Sequence, residues 1–269
     1  MVDWGAGSYE TTSAVELAPV ADVIVTEAAI AANERVIDVA SGSGNAALAA
    51  ARRGARVMAI DGAPRLLAVA AERARAEGVD LDLREGDLLA LPADEATADV
   101  VVSVFGVIYA TDPSGALREI RRVLRPGGRV FVSAWVPDGP INAMLGAVGR
   151  IVARISDSRP APRFAWNDPA ALGPIAAEAG LVLETTTAHE LTIRAVSAEA
   201  YVDINQDHPM AVAVLPVVRG ADAESELRAA QLSVLRDANE DPHAFLVHTP
   251  YVIHRLRSAP VDGAGRRRP

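Results

Sequence analysis

The stretch RVIDVASGSGN, residues 35–45, decides the fold of this chain. Its first half, Arg35 to Val39, is a short apolar run typical of a buried strand. Its second half places Gly42 and Gly44 in a turn, and the alanine-rich run from Ala46 to Arg53 predicts a helix. A glycine turn between a strand and a helix leaves the backbone open to close approach. The stretch therefore predicts a ligand-binding turn.

The same alternation of apolar runs and helical patterns continues on the carboxyl side of this unit. The further predicted strands are Arg56 to Ile60, Leu81 to Arg84, Asp99 to Phe105 and Arg129 to Ala134, and the further helices are Arg65 to Glu77 and Ser114 to Leu124. Strands that alternate with helices at this spacing predict an α/β fold with a doubly wound, mostly parallel sheet. Ligands of such a sheet bind at the carboxyl ends of its strands.

Beyond Trp135 the alternation stops, and the predicted organisation becomes a core with insertions. Two strand-like runs, from Leu181 and from Phe245, enclose a helical insertion. The predicted divisions are an N-terminal lid and helix (1–32), a cofactor-binding core (33–136), substrate cap insertions (137–168 and 196–241), the remainder of the core (169–195 and 242–258) and a disordered tail (259–269). Insertions at strand ends commonly form the substrate pocket.

Composition excludes several classes of function. The 269 residues carry a net charge of −9, include no cysteine, and are 50% hydrophobic. No long apolar run and no leader pattern is visible, so a cytoplasmic protein without a membrane partner is expected. The negative charge disfavours nucleic acid, and the five dispersed histidines without cysteines predict no metal site.

Three carboxylates follow three successive predicted strands. Asp38 precedes the glycine turn, Asp61 ends the second strand, and Asp87 follows the third. A carboxylate beside a pyrophosphate is unfavourable because like charges repel, whereas a cationic nucleoside such as S-adenosylmethionine suits it. The turn, with Ala47 as its third small residue, and Asp61 also satisfy the dinucleotide fingerprint, so a dehydrogenase remains an alternative. Each acid also has a structural interpretation as a cap or turn residue.

Taken in order along residues 33–135, these motifs resemble class I S-adenosylmethionine-dependent methyltransferases of the small-molecule type. The resemblance implies a seven-stranded, Rossmann-like sheet, S-adenosylmethionine as cofactor and S-adenosylhomocysteine as product. We add the N-terminal Tyr9 to the residues that the resemblance implies for cofactor binding. Those residues are Asp38, Ala40, Ser41, Gly42, Gly44, Asn45, Asp61, Gly62, Gly86, Asp87, Leu88, Ser103, Val104 and Phe105. One departure is Ala40, where that family usually has glycine.

The acceptor side of the site is less defined by sequence. Seven aromatic residues at strand ends, in the N-terminal segment or in insertions predict an apolar aromatic pocket: Trp4, Tyr9, Phe105, Tyr109, Trp135, Trp166 and Tyr201. Phe131, Phe245 and Tyr251 are interpreted as core. The expected reaction is in-line transfer of the methyl group to a small, partly apolar acceptor. A cofactor-binding protein that does not methylate is a further alternative. No catalytic residue is assigned; His208 is a candidate base, with a structural histidine as its alternative.

Overall fold

The computed structural model describes residues 2–157 and 163–259, and within those ranges seven strands form one sheet. The strands are β1 (Arg35–Val39), β2 (Arg56–Asp61), β3 (Leu81–Glu85), β4 (Ala98–Ser103), β5 (Leu124–Trp135), β6 (Leu181–Ala195) and β7 (Phe245–Ser258). Their order in the sheet is β3-β2-β1-β4-β5-β7-β6. The first five pair in parallel, and β7 runs antiparallel between β5 and β6. The predicted α/β, mostly parallel, seven-stranded sheet is confirmed.

Helices cover both faces of the sheet. In the described ranges they are α1 (Ser13–Glu27), α2 (Asn45–Ala51), α3 (Pro64–Glu77), α4 (Pro113–Val123), α5 (Pro140–Ile155), α6 (Pro169–Glu178), α7 (Ala198–Ile204), α8 (Pro209–Gly220) and α9 (Glu224–Ala238). Their ends follow local chemistry. Asp112 caps α4 by accepting a hydrogen bond from the Gly115 N–H, and Gly78 ends α3 in the left-handed region.

Alternating side chains of the parallel strands divide the core into two layers. On β4, Val100 and Val102 face the layer that contains α1 and α2, and Val101 faces the layer that contains α4 and α6. Phe131 of β5 is among the largest fully buried side chains of the first layer. Because both faces of the sheet are covered at its centre, β1, β2 and β4 are largely buried, whereas the edge strand β3 is half-buried or exposed, and ligands have access at the strand ends.

The position of β7 separates this sheet from a dinucleotide-binding sheet. The order that binds dinucleotides is 3-2-1-4-5-6, with the sixth strand beside the fifth. Here an antiparallel strand occupies that position, and β6 lies outside it. The topology therefore differs from that of the dehydrogenases that the glycine turn alone left open.

One strand begins earlier than the sequence indicates. The predicted fifth strand starts at Arg129, whereas β5 starts at Leu124, directly after α4. Leu124 pairs with Ala98, and the register then shifts before Val100 pairs with Arg129. The Pro126 to Gly128 turn is thus an irregular part of β5, with Gly127 in the left-handed region.

Helices from both predicted insertions pack together at one end of the sheet. Ile151 of α5, Val218 of α8 and Leu227 of α9 form a small apolar cluster of their own. We call α5, α7, α8 and α9 the cap. The domain boundaries themselves remain a prediction, and the tail predicted from 259 lies, apart from Ala259, outside the described residues. Among the helices that the structure describes, none is long and apolar enough to cross a membrane.

Candidate functional site

A cavity of about 1190 Å³ opens where the carboxyl ends of the parallel strands meet the cap. Most of the cofactor residues that the sequence predicts line it: Tyr9, Ala40, Gly42, Asp61, Gly62, Gly86, Asp87, Leu88, Val104 and Phe105. They come from the residues at or just after the ends of β1 to β4 and from the N-terminal segment. The topology therefore gathers side chains that are far apart in sequence, as expected for a parallel sheet.

The glycine turn after β1 is a sharply bent backbone. Ala40, Gly42 and Gly44 all have positive φ, at 54°, 56° and 87°. Ala40 is the departure from the glycine that the resemblance implies, and its methyl group has a compensating neighbour. A Cβ built on Gly106 would lie 2.4 Å from the Ala40 Cβ. The turn thus accepts a methyl group at position 40 because position 106 has none.

Asp61 connects the end of β2 to this turn. Its Oδ2 accepts a hydrogen bond from the Gly42 N–H at 2.7 Å, and its Oδ1 accepts one from the Ala63 N–H at 2.8 Å. Burial raises the pKa of the carboxyl group, and the backbone hydrogen bonds oppose that rise. A carboxylate oxygen can accept more than one hydrogen bond. Asp61 can therefore hold the turn and still accept hydrogen bonds from the hydroxyls of a ligand in the cavity.

Asp38 lies behind the turn and not on the cavity rim where the sequence predicts it. Its side chain is buried, and its Oδ2 accepts a hydrogen bond from the Ala47 N–H at 2.9 Å, at the first turn of α2. Burial, with a further contribution from the Asp61 charge, raises the pKa of Asp38 to about 8. The raised pKa disfavours the charged form, which weakens the attraction of this group for a cationic ligand. Its structural interpretation as a helix-capping acid fits the geometry.

Four further predicted residues support the turn from outside the cavity wall. Gly44 lies against Ala70, where a Cβ would come within 3.1 Å. The Asn45 Nδ2 donates to the Ala14 carbonyl at 2.6 Å, which fixes the start of α1 beside the turn. The Ser103 hydroxyl donates to the Val39 carbonyl at 2.8 Å. The Ser41 Oγ is buried without a hydrogen-bond partner among the residues that the structure describes.

Asp87 stands at the cavity rim as an exposed residue. Its Oδ1 accepts a hydrogen bond from the Leu89 N–H at 2.7 Å, which forms an Asx turn. This agrees with the structural interpretation of Asp87 as a turn residue. Its position in the wall also leaves the carboxylate accessible to a ligand. Its predicted contact with an amine of the cofactor remains a prediction.

Aromatic side chains form a floor and a side of the cavity. Phe105 and Trp135 stack with ring centroids 3.7 Å apart, and Trp4 lies 4.7 Å from Tyr109. Of the seven aromatic residues predicted for a pocket, six line it and Trp166 does not: Trp166 is 3% exposed and belongs to the core layer of α4 and α6. Phe131, Phe245 and Tyr251 are buried, as predicted for core residues.

The N-terminal segment, residues 3–11, lies across the cavity between α3 and the cap. Arg65 of α3 donates to the Gly5 carbonyl at 2.7 Å and to both carboxylate oxygens of Glu10 at 2.9 Å. On the other side, the Ser8 N–H donates to the Asp207 carbonyl at 2.8 Å. The ring of Tyr9 faces Gly42, where an added Cβ would lie 3.2 Å from the ring. The role of this segment as a lid remains a prediction.

His208 lines the cavity but does not have the hydrogen bonding of a base. Its Nδ1 accepts a hydrogen bond from the Met210 N–H at 3.1 Å and caps α8. Burial lowers the pKa of His208 to about 4. The neutral ring with an accepting Nδ1 carries its proton on Nε2. His208 is therefore a hydrogen-bond donor, and the structural alternative stated for it is favoured.

Sequence reasoning missed Glu16, which lines the cavity from α1. Its carboxylate lies beside the polar side chains of Tyr201 and Asn205. Burial raises the pKa of Glu16. In the sequence this acid occupies the first turn of a helix, where acids are common because they complement the helix dipole, so it carries no distinguishing signal.

The cap side of the cavity carries an aliphatic patch. It consists of Met144, Leu145, Val148, Val152, Val214 and Leu215. Polar side chains of the cap, among them Arg219, Arg228 and Gln231, line the cavity as well. The strand side presents Asp61, Asp87 and the backbone of the glycine turn, and we call it the polar half.

Comparison with known proteins agrees with this geometry. Residues 37–132 match the sequence model of a family described as the methyltransferase domain. An uncharacterised protein of Mycobacterium tuberculosis (strain ATCC 25618 / H37Rv) is 36% identical over 163 residues, which are 61% of this chain and 59% of that protein. Demethylmenaquinone methyltransferase of Thermus thermophilus is 39% identical over 122 residues, 45% of this chain and 54% of that enzyme. The chain thus spans less than two thirds of these curated relatives.

A solved structure shares the fold over most of the chain. Geranyl diphosphate methyltransferase, determined in complex with S-adenosylmethionine, superposes with a TM-score of 0.54 and covers 90% of this chain and 85% of that one at 17% identity. At this identity the likeness concerns the fold alone. The Rossmann-like, mostly parallel fold that the sequence predicts is thereby confirmed, and residues 37–132 are the part that matches the methyltransferase-domain model.

Proposed function

We propose that this protein, whose residues 37–132 match the model of a methyltransferase domain, binds S-adenosylmethionine and transfers its methyl group to a small, partly apolar molecule. The observation that carries the proposal is the two-part cavity at the strand ends. The polar half contains Asp61 and the glycine turn, and the cap contributes an aliphatic patch with polar side chains around it. S-adenosylhomocysteine is the product that would leave the site.

The residues of the polar half fit such a cofactor. Gly42 has no side chain of its own at the turn, and a ligand that approaches its backbone would displace the Tyr9 ring that lies against it. Asp61 keeps accepting capacity beyond its two backbone hydrogen bonds. The exposed carboxylate of Asp87 lies on the rim where the resemblance places the adenine. A cofactor held by these groups supplies a methyl group on a sulfonium, which is a strong electrophile.

The cavity exceeds the usual size of a site for one small molecule. Such sites are commonly about 300–1,000 Å³, and this cavity measures about 1190 Å³, which leaves space for an acceptor beside the cofactor. The aliphatic patch of the cap then receives the acceptor. Alignment of two bound reactants in a water-poor cavity can lower a barrier by about 7–11 kcal/mol, so the main contribution of this chain is to orient the acceptor and to exclude water.

Calorimetric titration with S-adenosylhomocysteine and, in parallel, with NAD tests the cofactor. We expect micromolar binding of S-adenosylhomocysteine and none of NAD. Binding of NAD alone would overturn the proposal in favour of an oxidoreductase. Incubation with methyl-labelled S-adenosylmethionine and a metabolite extract, followed by mass spectrometry, tests the transfer. Binding without a labelled product from any extract would favour a cofactor-binding protein that does not methylate.

A further inference from the structure

Glu16, Tyr201 and Asn205 form a polar cluster in the wall of the cavity. Glu16 belongs to the first turn of α1, Tyr201 to α7, and Asn205 follows α7 directly. All three line the cavity. The Asn205 Nδ2 donates to the Tyr201 carbonyl at 3.0 Å, and both side chains lie beside the Glu16 carboxylate. The cluster thus joins the N-terminal helix to the cap within the ligand-binding space.

The position of the cluster relative to the glycine turn is fixed by one hydrogen bond. The Asn45 Nδ2 donates to the carbonyl of Ala14, two residues before Glu16. The start of α1 is thereby attached to the end of the turn that the proposed function assigns to the cofactor. Glu16 consequently lines the cavity near the polar half, which the proposed function assigns to the cofactor.

No ion pair joins Glu16 to a cation among the described residues. Arg228 of α9, which also lines the cavity, pairs with Asp203, and Arg219 of α8 pairs with Glu224. Arg163, also in the wall, stands over the Tyr109 ring. His208 is neutral, with its Nδ1 engaged by the Met210 N–H. The Glu16 carboxylate can therefore receive a proton without losing an ion pair.

We propose that Glu16 is the base on the acceptor side of this site and that the acceptor is a phenol or an enol whose hydroxyl hydrogen-bonds to the Glu16 carboxylate. This inference rests on the proposed function and makes the reaction an O-methylation. The hydroxyl class follows from acidity. A phenol has a pKa of about 10, like tyrosine, which a buried carboxylate of raised pKa can approach in a concerted transfer. An aliphatic alcohol is far less acidic.

The step balances in atoms and charge. The acceptor O–H bond breaks, and its proton moves to a carboxylate oxygen of Glu16. An oxygen lone pair forms the new bond to the methyl carbon, and the methyl–sulfur bond breaks with its electron pair left on sulfur. The products are the methyl ether, S-adenosylhomocysteine and a protonated Glu16, which releases its proton to solvent before the next turnover.

Two probes that differ by one methyl group test this role. 1-Naphthol and 1-methoxynaphthalene are titrated by calorimetry into protein saturated with S-adenosylhomocysteine. We expect the wild-type protein to bind 1-naphthol at least tenfold more tightly than the ether. Glu16→Gln should reduce this preference to threefold or less and leave the affinity for S-adenosylhomocysteine unchanged. Asp22→Asn, which removes an exposed carboxylate from the same helix, is the matched control and should keep the preference.

The outcomes separate the two proposals. Failure of the wild-type protein to bind S-adenosylhomocysteine overturns the proposed function. Binding of S-adenosylhomocysteine with equal affinity for both probes, or a tenfold preference that survives in Glu16→Gln, overturns the role of Glu16. The pH dependence of the wild-type protein tests Glu16 without a substitution. The preference for 1-naphthol over the ether should disappear at acidic pH, where Glu16 is protonated. A preference that is constant with pH would contradict the proposal.

Turnover provides a readout that a merely structural residue would not affect. With labelled S-adenosylmethionine and 1-naphthol, kcat of Glu16→Gln should be at least 100-fold below wild type at pH 7. The deficit should shrink toward tenfold near pH 10, because the naphthol then ionises without a base. A loss that is independent of pH would assign Glu16 to positioning only and overturn its role as a base.

Discussion

The turns at the strand ends and the cap are held together by different chemistry. In the turns, the carboxylates of Asp38 and Asp61 are buried and accept hydrogen bonds from backbone N–H groups. In the cap, the charged side chains pair with each other at the surface, as Arg154 does with Glu226. Buried groups of the first kind are costly to leave unpaired, whereas exposed ion pairs contribute little. The strand side is therefore preorganised for one ligand, and the cap can adapt to another.

The largest effect should come from Asp61→Ala. The change removes a charged acceptor from the polar half, which should weaken binding of S-adenosylhomocysteine by about 1.5–3 kcal/mol. It also leaves the N–H groups of Gly42 and Ala63 without their partner, at a cost to folding of about 1–3 kcal/mol each. Calorimetry and chemical denaturation measure the two effects.

Asp87→Ala is the matched comparison for this prediction. Asp87 is exposed and bonds only its own turn at Leu89. We expect a smaller loss of affinity than for Asp61→Ala, of about 1 kcal/mol, and little loss of folding stability. If Asp61→Ala retains wild-type affinity within twofold, the polar half does not bind the cofactor.

Asp38 should make the folding stability depend on pH. Its pKa is raised from 3.8 to about 8 in the folded protein, so the folded state binds a proton that the unfolded state has released. The resulting contribution is fully present below about pH 4 and is lost as the pH rises toward 8, with a slope of at most about 1.4 kcal/mol per pH unit. Urea denaturation of wild type and Asp38→Asn at several pH values isolates this contribution. A difference between the two proteins that is constant from pH 5 to 8 would contradict it.

Gly106 and Ala40 should be energetically coupled. Gly106→Ala places a Cβ 2.4 Å from the Ala40 Cβ and 2.8 Å from the Ala40 carbonyl oxygen, which should destabilise the fold by about 1–3 kcal/mol. Ala40→Gly removes one of these clashes and relieves a positive φ. The double variant should therefore be more stable than the sum of the single changes predicts. A double-mutant cycle by thermal denaturation measures the coupling, and strict additivity would disprove it.

The smallest effect is expected in the cap. Glu226→Gln removes an ion pair whose side chains are 54% and 60% exposed, so the free energy of unfolding should change by no more than about 0.5 kcal/mol. Leu227, the next residue along α9, belongs to the apolar cluster of the cap. Leu227→Ala is the contrasting variant and should lower the free energy of unfolding by about 2 kcal/mol. A loss of more than 1 kcal/mol for Glu226→Gln would remove the distinction between the two regions.

Sequence patterns anticipated the strand side well because its signals are local. The apolar run from Arg35, the glycines of the turn and Asp61 specify backbone geometry within a few residues, and the parallel topology then places their ends together. Position relative to the cavity was harder to predict. Asp38 lies behind the glycine turn, where it caps α2, and Asp61 lies in the cavity wall. The residues next to either acid in the sequence do not distinguish these two positions.

The acceptor side depends on contacts between distant segments, which local patterns do not encode. Glu16 becomes notable only because Tyr201, on the cap, lies beside it. Its position in an insertion places Trp166 in the predicted pocket. In the structure Trp166 lies in the core, where its carbonyl accepts a hydrogen bond from the His254 Nε2 at 2.7 Å. The sequence makes His208 a candidate base, but the hydrogen bond from the Met210 N–H to its Nδ1 leaves the ring proton on Nε2.

The attachment of the N-terminal segment by Arg65 bears on the time that a molecule stays in the site. Because the Tyr9 ring lies directly against Gly42, we expect a ligand to reach or leave this part of the turn only when the segment moves, which breaks the hydrogen bonds from Arg65 to Gly5 and Glu10. The ion pair is partly exposed, so salt screens it. We therefore expect the dissociation rate of S-adenosylhomocysteine, followed by stopped-flow fluorescence, to increase with ionic strength. Arg65 would then set the residence time of the product more than its affinity.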